Sequence, residues 1–299
     1  MNKLLRYQSN LVYLVVCIVP ILGSVIVTNF GANQDIMEVS YQYLFILIPS
    51  IVYILLSNQS FKKVLRLNKV SPSKILIASL IAIISQPFIS LVAITMQQLF
   101  PSYGMMYMPT GGEAGMGGLI FSLFLIALTP AICEEVFMRG VVLSGHRGIK
   151  VWKVAILNGV LFGLFHNNFD QMFYAAAFGA ILAFVVLYTD SIYPAVIMHF
   201  IMNGLSVLGD FYPENFYTRV TYLYESNIAI LIPLGIASLV AVTLLVVYLK
   251  RQSSKKANEL IIEQQEEASK QNESINKIAY PEWPLIFATA ISIVYSVVG

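Results

Sequence analysis

The chain has 299 residues, of which 58% are hydrophobic and 11% charged, and its mean hydropathy is +0.74. A soluble domain carries about a quarter charged residues, so this composition excludes an ordinary soluble protein and predicts a lipid bilayer around the chain. The net charge of +2 gives no global attraction to polyanions, and nucleic acid is not an expected partner.

Apolar runs follow one another along the whole chain, and most are close to the roughly 20 residues that a spanning helix needs. They lie near residues 11–28, 41–57, 75–99, 118–143, 151–166, 171–188, 192–209 and 227–249. In lipid only helices or closed barrels satisfy the backbone, and these runs are too long for barrel strands. We therefore predict an all-α fold, a polytopic membrane helix bundle of about eight transmembrane helices.

The runs and the polar stretches between them divide the chain into five regions. These are the N-terminal transmembrane helices (1–110), the second half of the membrane core (118–209), a last core helix with its preceding outer loop (210–249), a polar cytosolic segment (250–283) and a short apolar segment (284–299). The polar segment is expected to be a solvated tether, helical or disordered. The short apolar segment can span the membrane, re-enter it or lie at its surface.

Lysine and arginine are concentrated in alternate connections, whereas the connections between them are acidic. The basic residues are Lys3, Arg6, Lys62, Lys63, Arg66, Lys69, Lys74, Arg147, Lys150, Lys153, Lys250 and Arg251. Because cytosolic loops carry an excess of positive charge, this predicts a multi-pass protein of the cell membrane with a cytosolic N-terminus. The turn at Asp190 has no basic residue and does not follow the pattern.

Glu134 and Glu135 stand side by side inside the fourth apolar run, with Arg139 one helical turn further on. An ionisable residue at bilayer depth costs roughly 2.5–3.5 kcal/mol on insertion scales. Glu135 and Arg139 are four residues apart, share a helix face and should form an ion pair. Glu134 has no cation at that spacing, which leaves it free to exchange a proton. The alternative is that all three form a structural polar clamp between helices.

The fifth run carries Asn158, Phe162 and His166 in one stripe at four-residue spacing. Gly159 and Gly163 lie beside the stripe and favour close approach of another helix. We expect that neighbour to be the helix that carries the glutamates. A lone histidine at this depth can instead be an interhelical hydrogen-bond partner.

The seventh run carries His199 and Asn203, again four residues apart on one face. Both side chains offer N–H donors, so together they can form an oxyanion hole or simply join helices. Glu134, His166, His199 and Asn203 are predicted to converge on one cavity in the inner half of the membrane. His146 lies in a basic cytosolic loop and is expected to be solvated.

The three motifs resemble those of the CAAX-protease and bacteriocin-processing family of intramembrane peptidases, also called the Abi family. They stand here as Glu134-Glu135-Val136-Phe137-Met138-Arg139, Phe162-Gly163-Leu164-Phe165-His166 and His199-Phe200-Ile201-Met202-Asn203. The resemblance covers about 118–209 and implies that this region is a catalytic core. It implies that Glu134 and His166 activate a water, that His199 and Asn203 stabilise the oxyanion, and that Glu135, Arg139 and Phe162 support the site.

The same residues are compatible with a metal-free site and with a zinc site. A metal-free mechanism is favoured, and the alternative is a zinc ion held by Glu134, His166 and His199, since two histidines and a carboxylate form a recognised catalytic set. The chain has no His-Glu-x-x-His segment of the conventional zinc peptidases.

Three functions compete. The first is an intramembrane endopeptidase that cuts a membrane-associated peptide or protein near the cytosolic face. The second is a non-catalytic membrane scaffold or bacteriocin-immunity protein with the same fold. The third is a proton-coupled transporter, since buried carboxylates and histidines also mark proton relays. The absence of an internal repeat in the sequence argues against transport.

Overall fold

The computed structural model of the protein describes residues 3–30, 40–101, 115–253 and 282–298. Every regular element in these ranges is a helix. The helices are α1 (Lys3–Phe30), α2 (Tyr41–Leu56), α3 (Pro72–Leu99), α4 (Met116–Gly145), α5 (Val151–Phe165), α6 (Phe169–Thr189), α7 (Tyr193–Phe211), α8 (Phe216–Glu225), α9 (Ile228–Gln252) and α10 (Trp283–Val298).

The predicted all-α membrane bundle is confirmed. Helices α3, α4, α6, α7 and α9 are long and apolar enough to cross a membrane. The shorter apolar helical stretches are α2, α5, Leu5–Val19 of α1 and Trp283–Ser296 of α10. Each predicted apolar run corresponds to a helix. The acidic residues Asp35, Glu38 and Glu113 of the predicted outer loops lie outside the described residues, as do residues 254–281 of the polar segment.

Asparagine side chains cap the N-termini of three helices. The side-chain oxygens of Asn168, Asn215 and Asn227 accept backbone N–H groups from the first turns of α6, α8 and α9. These N–H groups have no partner within the helix itself, so each cap stabilises a helix start. The connection between α5 and α6 is short, because Asn168 caps α6 soon after α5 ends, and the two helices are antiparallel neighbours.

Helix α4 lies in the middle of the bundle. Phe137, Met138 and Val141 have no exposed surface and pack in one cluster with side chains of α1, α2 and α5. A second buried cluster joins α3, α6, α7 and α9. The outward face of α9 remains apolar and exposed, as expected of a helix that faces lipid, and includes Ile236, Val240 and Leu244.

The basic connections meet at one end of the bundle. Arg66, from the loop after α2, donates to the Asp190 carboxylate at 2.6 Å, and Asn68 donates to the same carboxylate at 2.8 Å. Asp190 ends α6 in a left-handed conformation with φ of 49°. The turn that broke the charge pattern therefore lies at the basic end, because its acidic side chain pairs with an arginine from another loop.

The remaining basic segments lie at the same end. Arg147 donates to the Lys63 carbonyl, and Ser253, just after α9, donates to the Tyr188 carbonyl at the end of α6. The N-terminal end of α1 is also there, because the Tyr53 hydroxyl donates to the Leu5 carbonyl at 3.4 Å. The basic loops therefore lie together at one end of the bundle.

Helix α10 forms the described part of the apolar segment 284–299. Asn10 and Arg6 of α1 both bond Glu282, just before α10, at 2.9 and 3.4 Å. From there α10 runs alongside α1 into the bundle, and Ala288 and Ser292 have no exposed surface. The described part of the segment is therefore an apolar helix that packs on α1.

Candidate active site

The glutamates lie in a short α-helical stretch between two π-helical stretches of α4. Residues Leu123–Leu128 and Val136–Val142 are π-helical, and Thr129–Glu135 between them is α-helical. π-helical turns are rare in proteins, and those that occur are often found at functional sites. Glu134 and Glu135 are both buried.

The predicted ion pair between Glu135 and Arg139 is present. Arg139 Nη1 lies 2.8 Å from Glu135 Oε1, and neither side chain has exposed surface. Arg139 Nη2 donates to the Gly179 carbonyl of α6 at 2.9 Å, and the guanidinium lies 4.4 Å from the centre of the Phe162 ring. One arginine therefore links α4, α5 and α6 while it neutralises a buried carboxylate.

His199 bonds the same carboxylate. Its Nδ1 atom lies 2.9 Å from Glu135 Oε1. An ionised carboxylate can only accept, so Nδ1 carries the hydrogen and Nε2 is the atom left for chemistry. Glu135 thus orients His199, as a carboxylate orients a histidine in hydrolytic sites.

Glu134 is held differently from its neighbour. Its Oε1 atom accepts a hydrogen bond from Gln42 Nε2 of α2 at 3.0 Å. Its Oε2 atom is buried without a hydrogen-bond partner among the described residues and lies 4.0 Å from His199 Nε2. The most reactive atoms of the two side chains therefore face each other beyond direct hydrogen-bonding distance.

Sequence reasoning did not single out Gln42. It lies in the apolar run 41–57, where an amide side chain is an isolated polar group. Buried polar groups normally have hydrogen-bond partners, so a lone amide in an apolar run indicates a polar partner on another helix. The sequence does not identify that partner, because Gln42 and Glu134 are 92 residues apart.

His166 ends α5 and turns its ring back onto that helix. Its Nδ1 atom lies 2.7 Å from the Phe162 carbonyl oxygen. A carbonyl only accepts, so Nδ1 carries the hydrogen and Nε2 is an acceptor in the neutral ring. The side chain is partly exposed. No direct hydrogen bond joins His166 to Glu134 among the described contacts.

Phe162 connects the two histidines. Its ring packs edge-on against His166 at 4.7 Å and against His199 at 5.8 Å between ring centroids. Only 2% of Phe162 is exposed. The aromatic ring therefore forms one wall between the imidazoles and also contacts Arg139. Phe162 thus lies against both histidines and links His166 of α5 to His199 of α7.

Asn203 has a structural contact of its own. Its Nδ2 atom donates to the Ile126 carbonyl of α4 at 3.0 Å. Ile126 lies in the π-helical stretch Leu123–Leu128 of α4, so this hydrogen bond joins α7 to that stretch. The second hydrogen of the amide remains for another acceptor.

The glycines of α5 face a different helix from the one expected. A Cβ atom at Gly163 would overlap the Met172 carbonyl of α6, and one at Gly159 would overlap Ala176 and Ala180 of α6. The predicted close neighbour, α4, is instead reached by Asn158, which donates to the Met138 carbonyl at 2.9 Å. The expectation for the glycines was wrong because the α5–α6 connection is short and folds α6 directly onto them.

The expectation that His146 is solvated is also wrong. Only 3% of His146 is exposed, and its Nδ1 atom lies 2.9 Å from the Val142 carbonyl. Burial lowers the pKa of His146. The chain packs over this loop because Gly145 lies directly against Ser9 of α1, a contact that loop sequence does not reveal.

The described residues contain no group of three or more histidine, cysteine, aspartate or glutamate side chains arranged to hold a metal ion. The alternative zinc set of Glu134, His166 and His199 is not assembled as ligands here. Each histidine commits Nδ1 to another acceptor, and each keeps Nε2 available.

Carboxylates, imidazoles and amides are gathered within an all-helical, multi-pass membrane bundle, and buried ionisable groups in such a bundle mark a candidate functional site. Residues 116–205 match the family described as Rce1-like, type II CAAX prenyl endopeptidase Rce1-like. This match confirms the predicted resemblance to the CAAX-protease family over this part of the chain. No curated protein and no solved structure matches the chain.

All of the residues predicted for the site fall within the matched region. They are Glu134, Glu135, Arg139, Phe162, His166, His199 and Asn203. Gln42 lies outside it, in the N-terminal half. The polar cluster around Glu134 therefore combines the family region with a helix that the family match does not cover.

Proposed function

We propose that the protein is an intramembrane endopeptidase that hydrolyses a peptide bond of a membrane-associated peptide or protein near the cytosolic face. The observation that carries this proposal is the separation of 4.0 Å between Glu134 Oε2 and His199 Nε2, both buried and oriented by other side chains. A gap of this size suits a water molecule that bonds both atoms.

In the proposed reaction Glu134 acts as the general base. A water bonded to Oε2 attacks the peptide carbonyl carbon, a C–O bond forms, and the water's proton passes to the carboxylate. The proton then goes to the leaving nitrogen as the C–N bond breaks. His166 assists because its Nε2 atom is an acceptor for the second water hydrogen.

His199 and Asn203 stabilise the oxyanion in this mechanism. His199 requires a hydrogen on Nε2, and therefore the imidazolium form, because Nδ1 already donates to Glu135. Asn203 contributes the amide hydrogen that the Ile126 carbonyl does not use.

The site chemistry is proposed to need no metal. Glu135 binds both Arg139 and His199 through one oxygen, so these groups form a preorganised electrostatic network. Were a zinc ion bound, Glu134, His166 and His199 would be its ligands, and it would polarise water or carbonyl as a Lewis acid.

The proposed orientation places the basic end of the bundle, with the N-terminus, in the cytosol of a cell-membrane protein. His199 lies six residues from the start of α7, roughly 9 Å along the helix axis. Helix α7 begins just after the Asp190 turn, which Arg66 holds at the basic end. The site is therefore near the proposed cytosolic face.

The substrate class follows from the matched family, whose description names a CAAX prenyl endopeptidase. A peptide ending in a prenylated cysteine and three further residues is the first substrate to test, followed by bacteriocin leader peptides. The alternative function is a non-catalytic membrane scaffold or bacteriocin-immunity protein. It is favoured by the structural contacts of Arg139, Asn158 and Asn203, each of which joins two helices without any substrate.

The test is a cleavage screen of purified protein in lipid vesicles, run with and without chelator and beside metal analysis. The probe is a quenched fluorescent peptide with a farnesylated C-terminal CAAX sequence, here called the prenyl reporter. Cleavage that survives chelation in a metal-free preparation supports the proposal. Cleavage that a chelator abolishes and zinc restores replaces it with the metal mechanism.

A further inference from the structure

We propose that Gln42 of α2 is a positioning residue that orients the Glu134 carboxylate for water activation, an inference that rests on the proposed endopeptidase function. The residue lies outside the region that matches the family. The N-terminal half of the chain would then contribute directly to the geometry of the site.

The contact between the two side chains is buried and specific. Gln42 Nε2 lies 3.0 Å from Glu134 Oε1, and Gln42 and Glu134 are 4% and 6% exposed. Among the described residues this is the hydrogen bond that the Glu134 carboxylate receives, since Oε2 has none. Fixing one oxygen of a planar carboxylate also fixes the other, so Gln42 sets the position of Oε2 relative to His199.

The chemical type of the donor separates the adjacent glutamates. Glu135 is bound by the cation of Arg139, which neutralises it. The hydrogen-bond donor to Glu134 is a neutral amide, which orients the carboxylate and adds no charge of its own. A base must be held in place and still accept a proton, and an amide donor meets both needs.

Packing alone does not account for a glutamine at this position. The Oε1 atom of Gln42 is buried without a partner among the described residues, and such a group destabilises a folded protein. A methionine would fill similar space without leaving a polar atom unpaired. Gln42 also lies in the π-helical stretch Tyr41–Leu47 of α2, a geometry frequent at functional sites.

Two substitutions test the inference with the prenyl reporter in lipid vesicles. Q42M removes the donor, so kcat should fall about 10- to 100-fold with an unchanged KM, because a misplaced base affects only the transition state. The melting temperature should fall by no more than about 4 °C, because Glu134 Oε1 loses its donor while the unpaired amide oxygen is removed at the same time. Activity is measured well below that temperature, where the variant is folded, so that a lower kcat reports the position of Glu134 and not unfolding.

The matched control is Y43F. Tyr43 is the next residue of α2, and its hydroxyl lies 3.4 Å from Thr129 Oγ1 of α4. The substitution thus removes a contact between the same two helices without touching Glu134. It should leave kcat within about twofold of wild type, as expected for a peripheral hydrogen bond.

The second substitution, Q42E, keeps the shape of the side chain and makes the loss of activity depend on pH. Two carboxyl groups at this distance share a proton, and the protonated one restores the hydrogen bond. Activity of Q42E relative to wild type should therefore fall as pH rises and that proton is lost. The titratable groups around Glu134, unchanged in Q42E, are Tyr41, Cys133, Glu135, Arg139, His166 and His199.

The outcomes separate this inference from the proposed function. Reduced kcat in Q42M with normal KM, together with the pH signature of Q42E, supports it. Wild-type kcat in Q42M beside an inactive E134Q overturns the role of Gln42 alone, as do parallel pH profiles of Q42E and wild type. A wild-type protein that cuts neither the prenyl reporter nor a leader peptide overturns both.

Discussion

His199 Nδ1 lies 2.9 Å from Glu135 Oε1, although the two residues are 64 positions apart in the chain. The same oxygen accepts the Arg139 guanidinium at 2.8 Å. One carboxylate therefore fixes the tautomer of the histidine and directs its Nε2 atom toward Glu134. In the proposed mechanism Glu135 therefore positions His199 and Arg139, and Glu134 is the base.

Replacing Arg139 by alanine should destabilise the protein by about 3–5 kcal/mol, because Glu135 would be left buried without its cation. Arg139→Lys should cost less, since lysine keeps the charge but cannot reach both Glu135 and the Gly179 carbonyl with a planar fork. Thermal unfolding in detergent measures both variants. Wild-type stability of the alanine variant would contradict the structural role of this pair.

Asn203→Ala should reduce kcat about 10²–10³-fold by removing an oxyanion donor, and it should also lower stability because the Ile126 carbonyl loses its partner. Thermal unfolding and kcat on the prenyl reporter are measured side by side for this variant. A loss of stability with kcat at the wild-type value would mean that Asn203 acts only structurally.

The proposed topology predicts opposite labelling of two exposed serines. Ser60 precedes the single helical turn Phe61–Val64 in the basic loop, and Ser226 follows α8. An impermeant thiol reagent added to intact cells should label Ser226→Cys but not Ser60→Cys. The native Cys17 and Cys133 are buried and provide an unlabelled wild-type control. The reverse labelling pattern would invert the orientation.

His146 should make stability depend on pH. Burial lowers the pKa of His146, an effect that Arg6 adds to, while the Val142 hydrogen bond and Glu282 oppose it. As pH falls through the ordinary histidine value, roughly 6.5, the unfolded chain gains a proton that the folded protein does not. Stability should therefore fall from about pH 7 to pH 5, and His146→Leu should flatten this slope. Equal slopes in the two proteins would contradict the assignment.

Hydropathy and charge predicted the helical bundle because burial in lipid demands continuous apolar helices, and the i, i+4 spacing predicted the Glu135–Arg139 pair because it is local. The contacts that sequence did not predict are between distant segments. Gln42 against Glu134, Arg66 against Asp190 and Gly145 against Ser9 depend on how the helices pack. His146 looked solvated for the same reason, since its burial comes from α1.

The most direct test of the central claim compares wild type with Glu134→Gln on the prenyl reporter in lipid vesicles, with product analysis by mass spectrometry. Glutamine keeps the shape of the side chain and cannot take a proton. The mechanism predicts one defined cleavage by wild type and a rate at least about 10²-fold lower for the variant, with equal thermal stability and equal reporter binding. Cleavage by Glu134→Gln at the wild-type rate would contradict the assignment of Glu134 as the base that activates water.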